Sequence, residues 1–390
     1  MKITNNHRII SLYSTVFTII SLTTIYLPVW LNEIVGLEIK DIGVLFGLIG
    51  VLKVFSSILI TKNIIKFSNY KTTSVYITIL VSLIYLLIVF LLIKQQQILI
   101  IILIFLSLII FSPILPMTEN ISLKLNSDFK NTYGKLRISG SAAFFLSAII
   151  LGYFIDGLGS KVLPFLMIFF FWLFLISIYS LPSDQDKYYT YKKGSILQLL
   201  KNKKFLIVLL CCGLIQGSHA MYYSFSSILW RNNEISFSQI GYLWGWGVLA
   251  EIILFYFIDK VNINGLFLKI LIFAAITSSF RWILTYFFNQ FYSLLFIQTL
   301  HAISFGLAHY LMMHFIFFNI ESKNQLLAQA FYHAIASGMI MTSLTFISGY
   351  SFLYYKNGEG FLIMALSCII SALVIIISSL WIVYEKKQKK

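Results

Sequence analysis

Residues 72–93 read TTSVYITILVSLIYLLIVFLLI, a run free of Asp, Glu, Lys, Arg and His, held between Lys71 and Lys94. A helix rises ~1.5 Å per residue, so a run of this length crosses the ~30 Å hydrocarbon layer of a bilayer. Residues 162–181 and 361–384 repeat the same charge-free pattern. With 59% of the 390 residues apolar and only 11% charged, these runs exceed what a soluble core can shelter, and the chain reads as an all-α membrane protein. Working outward, twelve such segments fall at about residues 20, 52, 82, 110, 147, 171, 217, 248, 276, 304, 339 and 372. Lys2 and Arg8 ahead of the first segment imitate a secretory leader. That segment is long and lacks a small-residue cleavage site, so it is expected to stay as the first helix.

Orientation follows from the cations, because Lys and Arg resist translocation. Most of the 29 lie in the two tails and in the loops that follow even-numbered segments. The opposite loops hold only Lys40, Lys94, Lys161, Arg231 and Lys356. Both termini are therefore expected in the cytoplasm, with the chain in the cell (inner) membrane. The stretch 182–204 is polar, basic and longer than any other connection, and it separates six segments from six. The reading is an N-terminal bundle at 1–181, a cytoplasmic linker at 182–204 and a C-terminal bundle at 205–390.

Several function classes drop out. A net charge of +15 invites a nucleic-acid reading, but the basic residues are dispersed over short loops. No loop has room for a catalytic domain, and no Gly-rich phosphate loop ending in Gly-Lys-Ser or Gly-Lys-Thr occurs. Cys211, Cys212 and Cys368 fall inside apolar segments, without metal-ligand spacing or a disulfide framework. The chain is thus expected to be no enzyme, to need neither cofactor nor metal, and to work as a monomer with the lipid bilayer and a small-molecule substrate as partners.

What remains is the set of ionisable residues inside the segments, where a charge is expensive and turns toward a partner or water. These are Lys53, Glu119, Arg137, His219, Glu251, Arg281, His301, His309, His314 and His333. The third, sixth and twelfth segments carry none, so they are expected to face lipid, and Arg281 sets the ninth apart. Pro113 and Pro116 interrupt the fourth segment just before Glu119, and the carbonyls they free must meet protein or water. Lys53, Arg137 and Arg281 outnumber Glu119 and Glu251 by one, and an anionic substrate would relieve that uncompensated cation. Phe144, Trp244, Trp246, Tyr222 and Tyr223 lie close in sequence to these charges and can either pack or stack on a planar substrate. His314 and His333 read as interhelical hydrogen-bonding residues.

Five stretches carry a resemblance. They are Tyr26-Leu-Pro-Val-Trp-Leu31, Tyr133-Gly-Lys-Leu-Arg-Ile-Ser-Gly140, Gly213-Leu-Ile-Gln-Gly-Ser-His-Ala220, Gly241-Tyr-Leu-Trp-Gly245, and Leu300-His-Ala302 followed by Gly306-Leu-Ala-His309. The chain resembles the major facilitator superfamily, and within it the phenylpropionate permease group, a relative of the lactose permease group of proton symporters. The loop at Thr61-Lys-Asn-Ile-Ile-Lys-Phe-Ser-Asn-Tyr-Lys71 departs from the superfamily's usual Gly- and Asp-containing pattern. The resemblance implies a major facilitator fold of twelve helices in two six-helix bundles, with substrate held near the midplane and exposed alternately to either side.

It also assigns roles. An acid in helix 4 and an arginine in helix 5 grip substrate in the lactose permease group, and Glu119 and Arg137 match them. Both can alternatively anchor helix ends at the interface. Lys53, His219, Phe144 and Trp244 complete the substrate-binding candidates. Glu251, Arg281 and His301 match an acid, an arginine and a histidine that couple protons in that group, with His309 assisting. Where the group has a further acid, three residues past the helix 10 histidine, this chain has Ser304, which leaves Glu251 as the expected proton site. The function implied is proton-coupled uptake of a small organic anion such as an aromatic monocarboxylate. The alternatives are a proton symporter of a neutral sugar or nucleoside and, from another class, a membrane-embedded enzyme or sensor.

Overall fold

The computed structural model describes residues 5–67, 70–125, 129–181, 195–258, 263, 265–352, 354–355 and 358–388. Side chains are described throughout these except at 5, 54, 56–67, 120–125, 129–137 and 379–388. Among the described residues, twelve long helices account for the twelve apolar segments. They are α1 (Asn6–Glu33), α2 (Ile39–Phe67), α3 (Tyr70–Ile93), α4 (Gln97–Glu119), α5 (Phe129–Leu158), α6 (Ser160–Tyr179), α7 (Lys203–Asn232), α8 (Phe237–Ile258), α9 (Phe267–Phe287), α10 (Phe291–Asn319), α11 (Ser322–Ser351) and α12 (Gly360–Gln388). All reach membrane-spanning length, and in lipid only such internally bonded helices, or closed barrels, leave no backbone group unpaired.

By contacts the chain divides into two compact units, Met1–Tyr188 with Trp230–Gly245, and Tyr189–Leu229 with Trp246–Lys390. The same pairings hold each one together. In the first unit α1 packs on α5 and α6, and α3 packs on α6; in the second, α7 packs on α11 and α12, and α9 packs on α12. Shifting every helix number by six maps one scheme onto the other, which is the pattern of a parallel internal repeat.

Packing inside each unit uses what works where apolar side chains gain nothing by leaving lipid, namely small residues and hydroxyl hydrogen bonds. Ser11 and Ser177 join α1 to α6 at 2.8 Å, and Ser147 Oγ donates to Ser21 Oγ at 2.9 Å between α5 and α1. In the second unit Ser371 Oγ donates to the Cys211 carbonyl at 3.0 Å and Ser367 Oγ to the Leu214 carbonyl at 3.1 Å, tying α12 to α7. Outer faces are apolar at helical spacing: Tyr76, Leu80, Leu83, Leu87 and Phe90 on α3, and Phe165, Phe169, Trp172 and Ile176 on α6. Helix α12 follows with Leu362, Leu366, Ile369 and Leu373. Helix α9 has the same kind of outer stripe, Phe273, Ile276 and Phe280, while Arg281 is 0% exposed on its inner side.

The segment Trp230–Gly245 joins the first unit by specific bonds. Asp156 at the end of α5 caps the start of α8, accepting from Phe237 N and Ser238 N at 2.8 Å each. This carboxylate satisfies two of the orphan amides at a helix N-terminus and suits its partial positive charge. Arg231 Nε donates to Glu33 Oε1 at 3.1 Å. Gly241 packs so closely on α5 that a Cβ there would sit 2.0 Å from the Ala148 carbonyl oxygen, which also accepts from Tyr26 Oη.

Candidate functional site

Three helices of the second unit depart from regular geometry near the polar residues singled out in the sequence. Helix α7 breaks at Ser218 and His219, between Lys203–Gly217 and Ala220–Asn232. Helix α10 winds as a π-helix over Ala302–Leu307, and α11 does the same over Ala334–Met341. In the first unit α1 has a π-helical turn at Leu22–Tyr26. Such insertions free or redirect backbone groups and cluster at functional sites. The break in α7 is held from the side: Trp282 Nε1 donates to Ser218 Oγ at 2.8 Å, and Ser218 Oγ donates to the Ile215 carbonyl at 2.6 Å.

Arg281 is the centre of what this geometry assembles. Its Nη1 donates to Ser304 Oγ at 2.7 Å and faces His219 Nε2 at 3.2 Å, while Nη2 donates to Gln298 Oε1 at 2.8 Å. The guanidinium also lies 4.9 Å from the Tyr222 ring centroid and 4.4 Å from that of Trp282, distances at which aromatic faces attract cations. Among the described residues no carboxylate comes within 4.0 Å of it. A buried guanidinium is thus held by neutral acceptors and π-faces alone. Among the described residues its Nε hydrogen, the Gln298 Nε2 group and His301 Nδ1 are buried without a hydrogen-bond partner.

The bonds of His219 fix its tautomer. Nδ1 lies 3.2 Å from the carbonyl oxygens of both Ile215 and Gln216, so it must carry the hydrogen. Nε2, which faces the Arg281 donor, is then the acceptor. His219 in this arrangement supports a cation and carries none.

A second, titratable pair adjoins this cage. His301 Nε2 stands 4.0 Å from Glu251 Oε2, beyond hydrogen-bond reach but close enough to form an ion pair once the imidazole is protonated. Each helix makes room for the other's titratable group. A Cβ at Gly247 of α8 would lie 3.3 Å from the His301 side chain, and a Cβ at Gly306 of α10 would lie 3.1 Å from Glu251 Cγ. The side chain of Glu251 is 19% exposed and that of His301 5%, so the carboxylate is the more open end. The His301 ring is 5.6 Å from that of His219 and stacks on Phe305 at 5.2 Å.

Of the residues singled out in the sequence, His219, Glu251, Arg281 and His301 therefore meet in one cluster. His309 continues the stack beyond Phe305 and lies nearer to Tyr332 and His333, at 6.0 and 6.1 Å between ring centroids. In the first unit Phe144 and Trp244 are buried, with ring centroids 6.4 Å apart and planes tilted by 54°. Lys53 and Glu119 are half-buried on α2 and α4, and α4 is interrupted at Ser112 and Pro113. Arg137 belongs to α5, but its side chain, and with it the expected contact with Glu119, lies outside the described residues. Gln298 and Trp282 were not singled out. Gln298 had a readable signal as a lone amide in the apolar run 291–300, one helical turn before His301.

Comparison with known proteins agrees with this architecture. Residues 7–379 match the model of the MFS_1 like family. The Escherichia coli (strain K12) protein named "Probable 3-phenylpropionic acid transporter" is 30% identical over 263 residues, which cover 66% of this chain and 68% of that one. The Bacillus subtilis (strain 168) "Uncharacterized transporter YwbF" is 24% identical over 252 residues, covering 62% and 61%. A crystal structure of a mutant of the nucleoside transporter NupG superposes with a TM-score of 0.81 at 13% identity, covering 95% of this chain and 98% of that one.

Proposed function

Because the chain belongs to the MFS_1 like family, and is accordingly a multi-pass membrane transporter and not an enzyme, we propose that it takes up a small organic anion together with a proton. The anion class proposed is an aromatic monocarboxylate, the chemistry in the name of the Escherichia coli relative. Transport proceeds by alternating access, with the bundles 1–181 and 205–390, joined by the linker 182–204, as the moving bodies. The protein sits as a monomer in the inner membrane with both termini in the cytoplasm.

The observation that carries this reading is the Arg281 cage. A cation buried among neutral partners is stable only at a considerable electrostatic cost, and a visiting carboxylate would lower it. The proton belongs to Glu251 and His301, because the hydrogen bonds of His219 already commit both of its ring nitrogens. A proton on Glu251 removes the negative charge of the pair. Its release restores that charge, so the occupancy of the carboxylate and the attraction for an anion alternate. Glu119, Arg137, Lys53, Phe144 and Trp244 are proposed as the contribution of the first bundle to substrate binding, with His309 in a supporting place beside Tyr332.

The test is uptake of radiolabelled 3-phenylpropionate into proteoliposomes under an imposed proton gradient. External acidification should drive accumulation. Glu251→Gln should abolish accumulation against the gradient while sparing exchange of internal for external substrate. If Glu251→Gln still accumulates substrate like the parent, or if only neutral nucleosides or sugars are accumulated, the proposal fails.

A further inference from the structure

Immediately before α7 the chain forms a short helix, Ile196–Lys201, in the second unit. It is pinned by polar bonds at both ends. Ser195 N donates to Asn324 Oδ1 at 2.8 Å, Asn324 Nδ2 donates to Gln198 Oε1 at 2.9 Å, and Asn202 Oδ1 caps α7 by accepting from Phe205 N at 3.1 Å. Leu199 turns inward and is 3% exposed. Its neighbours Ile196, Leu197 and Leu200 are 53%, 62% and 46% exposed, and their spacing places them on one face. Lys201, Lys203 and Lys204 follow directly and are exposed. Beside Lys201 a cleft of about 310 Å³ is lined by Gln198, Asn202, Asn319 and Asn324, together with Glu321, whose carboxylate is engaged by Lys323 at 2.8 Å.

We propose that this helix is an interfacial anchor seated on anionic lipid of the cytoplasmic leaflet. Three aliphatic side chains enter the boundary between headgroups and acyl chains, three lysines meet phosphates, and the cleft, whose amides stand beside Leu199 and Ile320, receives a headgroup. Apolar residues beside basic ones, at the end of a membrane-spanning helix, are the pattern that binds such a surface. A soluble protein partner would not need the lysines to coincide with the membrane boundary. The inference rests on the orientation proposed above, with the start of α7 in the cytoplasm, and is independent of which substrate is carried.

The experiment uses full-length protein in nanodiscs of phosphatidylcholine, with and without phosphatidylglycerol, and follows hydrogen exchange of the 195–202 backbone. Exchange should slow by about a hundredfold when phosphatidylglycerol is present, the combined effect of three lysines at about 1 kcal/mol each. Each Lys→Gln change at 201, 203 or 204 should weaken that protection about fivefold, the equivalent of one lysine at a charged surface. Leu197→Ser with Leu200→Ser should speed exchange in both lipids while leaving the thermal midpoint of the whole protein in place. Equal exchange in the two lipids overturns the proposal. So does lipid protection that survives the triple lysine replacement, or protection that appears only on adding a soluble cytoplasmic protein.

Discussion

Replacing Arg281 by lysine separates two explanations of that residue, because it keeps the charge and removes the fork. The guanidinium reaches Ser304 and His219 through one nitrogen and Gln298 through the other, at 2.7, 3.2 and 2.8 Å. A lysine ammonium is a single point of donation and cannot occupy both nitrogen positions. It leaves at least one of the acceptors on opposite sides of the fork without its charged donor, and it loses the flat contact with Tyr222 and Trp282. One buried hydrogen bond to a charged group contributes ~1.5–3 kcal/mol, and a cation–π contact adds about 1 kcal/mol or more where desolvated. A loss of roughly 3 kcal/mol corresponds to about 4 °C in melting temperature, because a chain of 390 residues shifts by little more than ~1 °C per kcal/mol.

The protein offers its own reporter for this measurement. Cys211, Cys212 and Cys368 are buried free thiols, so a thiol-reactive fluorophore should label them only as the fold opens. A companion variant, Gln298→Leu, removes one acceptor and its unpaired amide together. The double variant should then lose less than the sum of the two single changes, since each removes the same bond. An Arg281→Lys protein that melts within ~1 °C of the parent and transports normally would refute the claim that fork geometry, and not charge alone, places this residue.

Other consequences can be measured with the same tools. Asp156→Asn keeps the shape but weakens the caps on Phe237 and Ser238, and a loss of about 1 kcal/mol should appear as a small drop in the melting midpoint. Gly241→Val would drive carbon into the Ala148 carbonyl. It should destabilise by about 1–3 kcal/mol or more, whereas Gly157→Ala, where a Cβ meets nothing within 4 Å, should melt like the parent. Gly306→Val should push on Glu251 and lower proton-driven uptake more than it lowers thermal stability, a contrast that uptake and melting curves on one preparation would expose.

Much of the architecture was legible because membrane constraints are simple. Charge-free runs such as 72–93 have one structural outcome in lipid, and Pro113 announced the break in α4 at the residue where it occurs. The break in α7 and the π-helical turns of α10 and α11 carried no such punctuation, whereas Pro28 closely follows the π-helical turn of α1. Gly217-Ser218 was the one weak cue, and Ala302–Leu307 is ordinary helical sequence whose winding is decided by neighbours. The site was legible by type more than by pairing. Arg281, Glu251, His301 and His219 stood out as ionisable residues in apolar runs, but sequence spacing gave no sign that Arg281 would take His219, Ser304 and Gln298 as partners. The resemblance to lactose permeases directed attention to an acid near that arginine. Ser304 now occupies the bonding place, with a hydroxyl oxygen where a carboxylate would have cancelled the charge.

That single replacement has an electrostatic consequence for the whole cluster. A carboxylate three residues past His301 would close the Arg281 cage into a neutral ion pair, and the cation would then contribute little to anything that entered. With a serine there the charge stays on Arg281, and in the function proposed above it is Glu251 on α8 and His301 on α10 that gain and lose theirs. Division of labour of this kind requires the two sets to be close but not bonded. The geometry meets that requirement, with the His301 ring edge-on to that of His219 at 5.6 Å and its Nε2 4.0 Å from Glu251 Oε2. Restoring an acid by Ser304→Glu should therefore impair anion uptake even though it adds a favourable partner for Arg281. The melting midpoint should hold or rise while uptake of 3-phenylpropionate falls. Loss of both together would show only that the cage had been overfilled, and undiminished uptake would mean that the fixed charge of Arg281 has no part in drawing the substrate in.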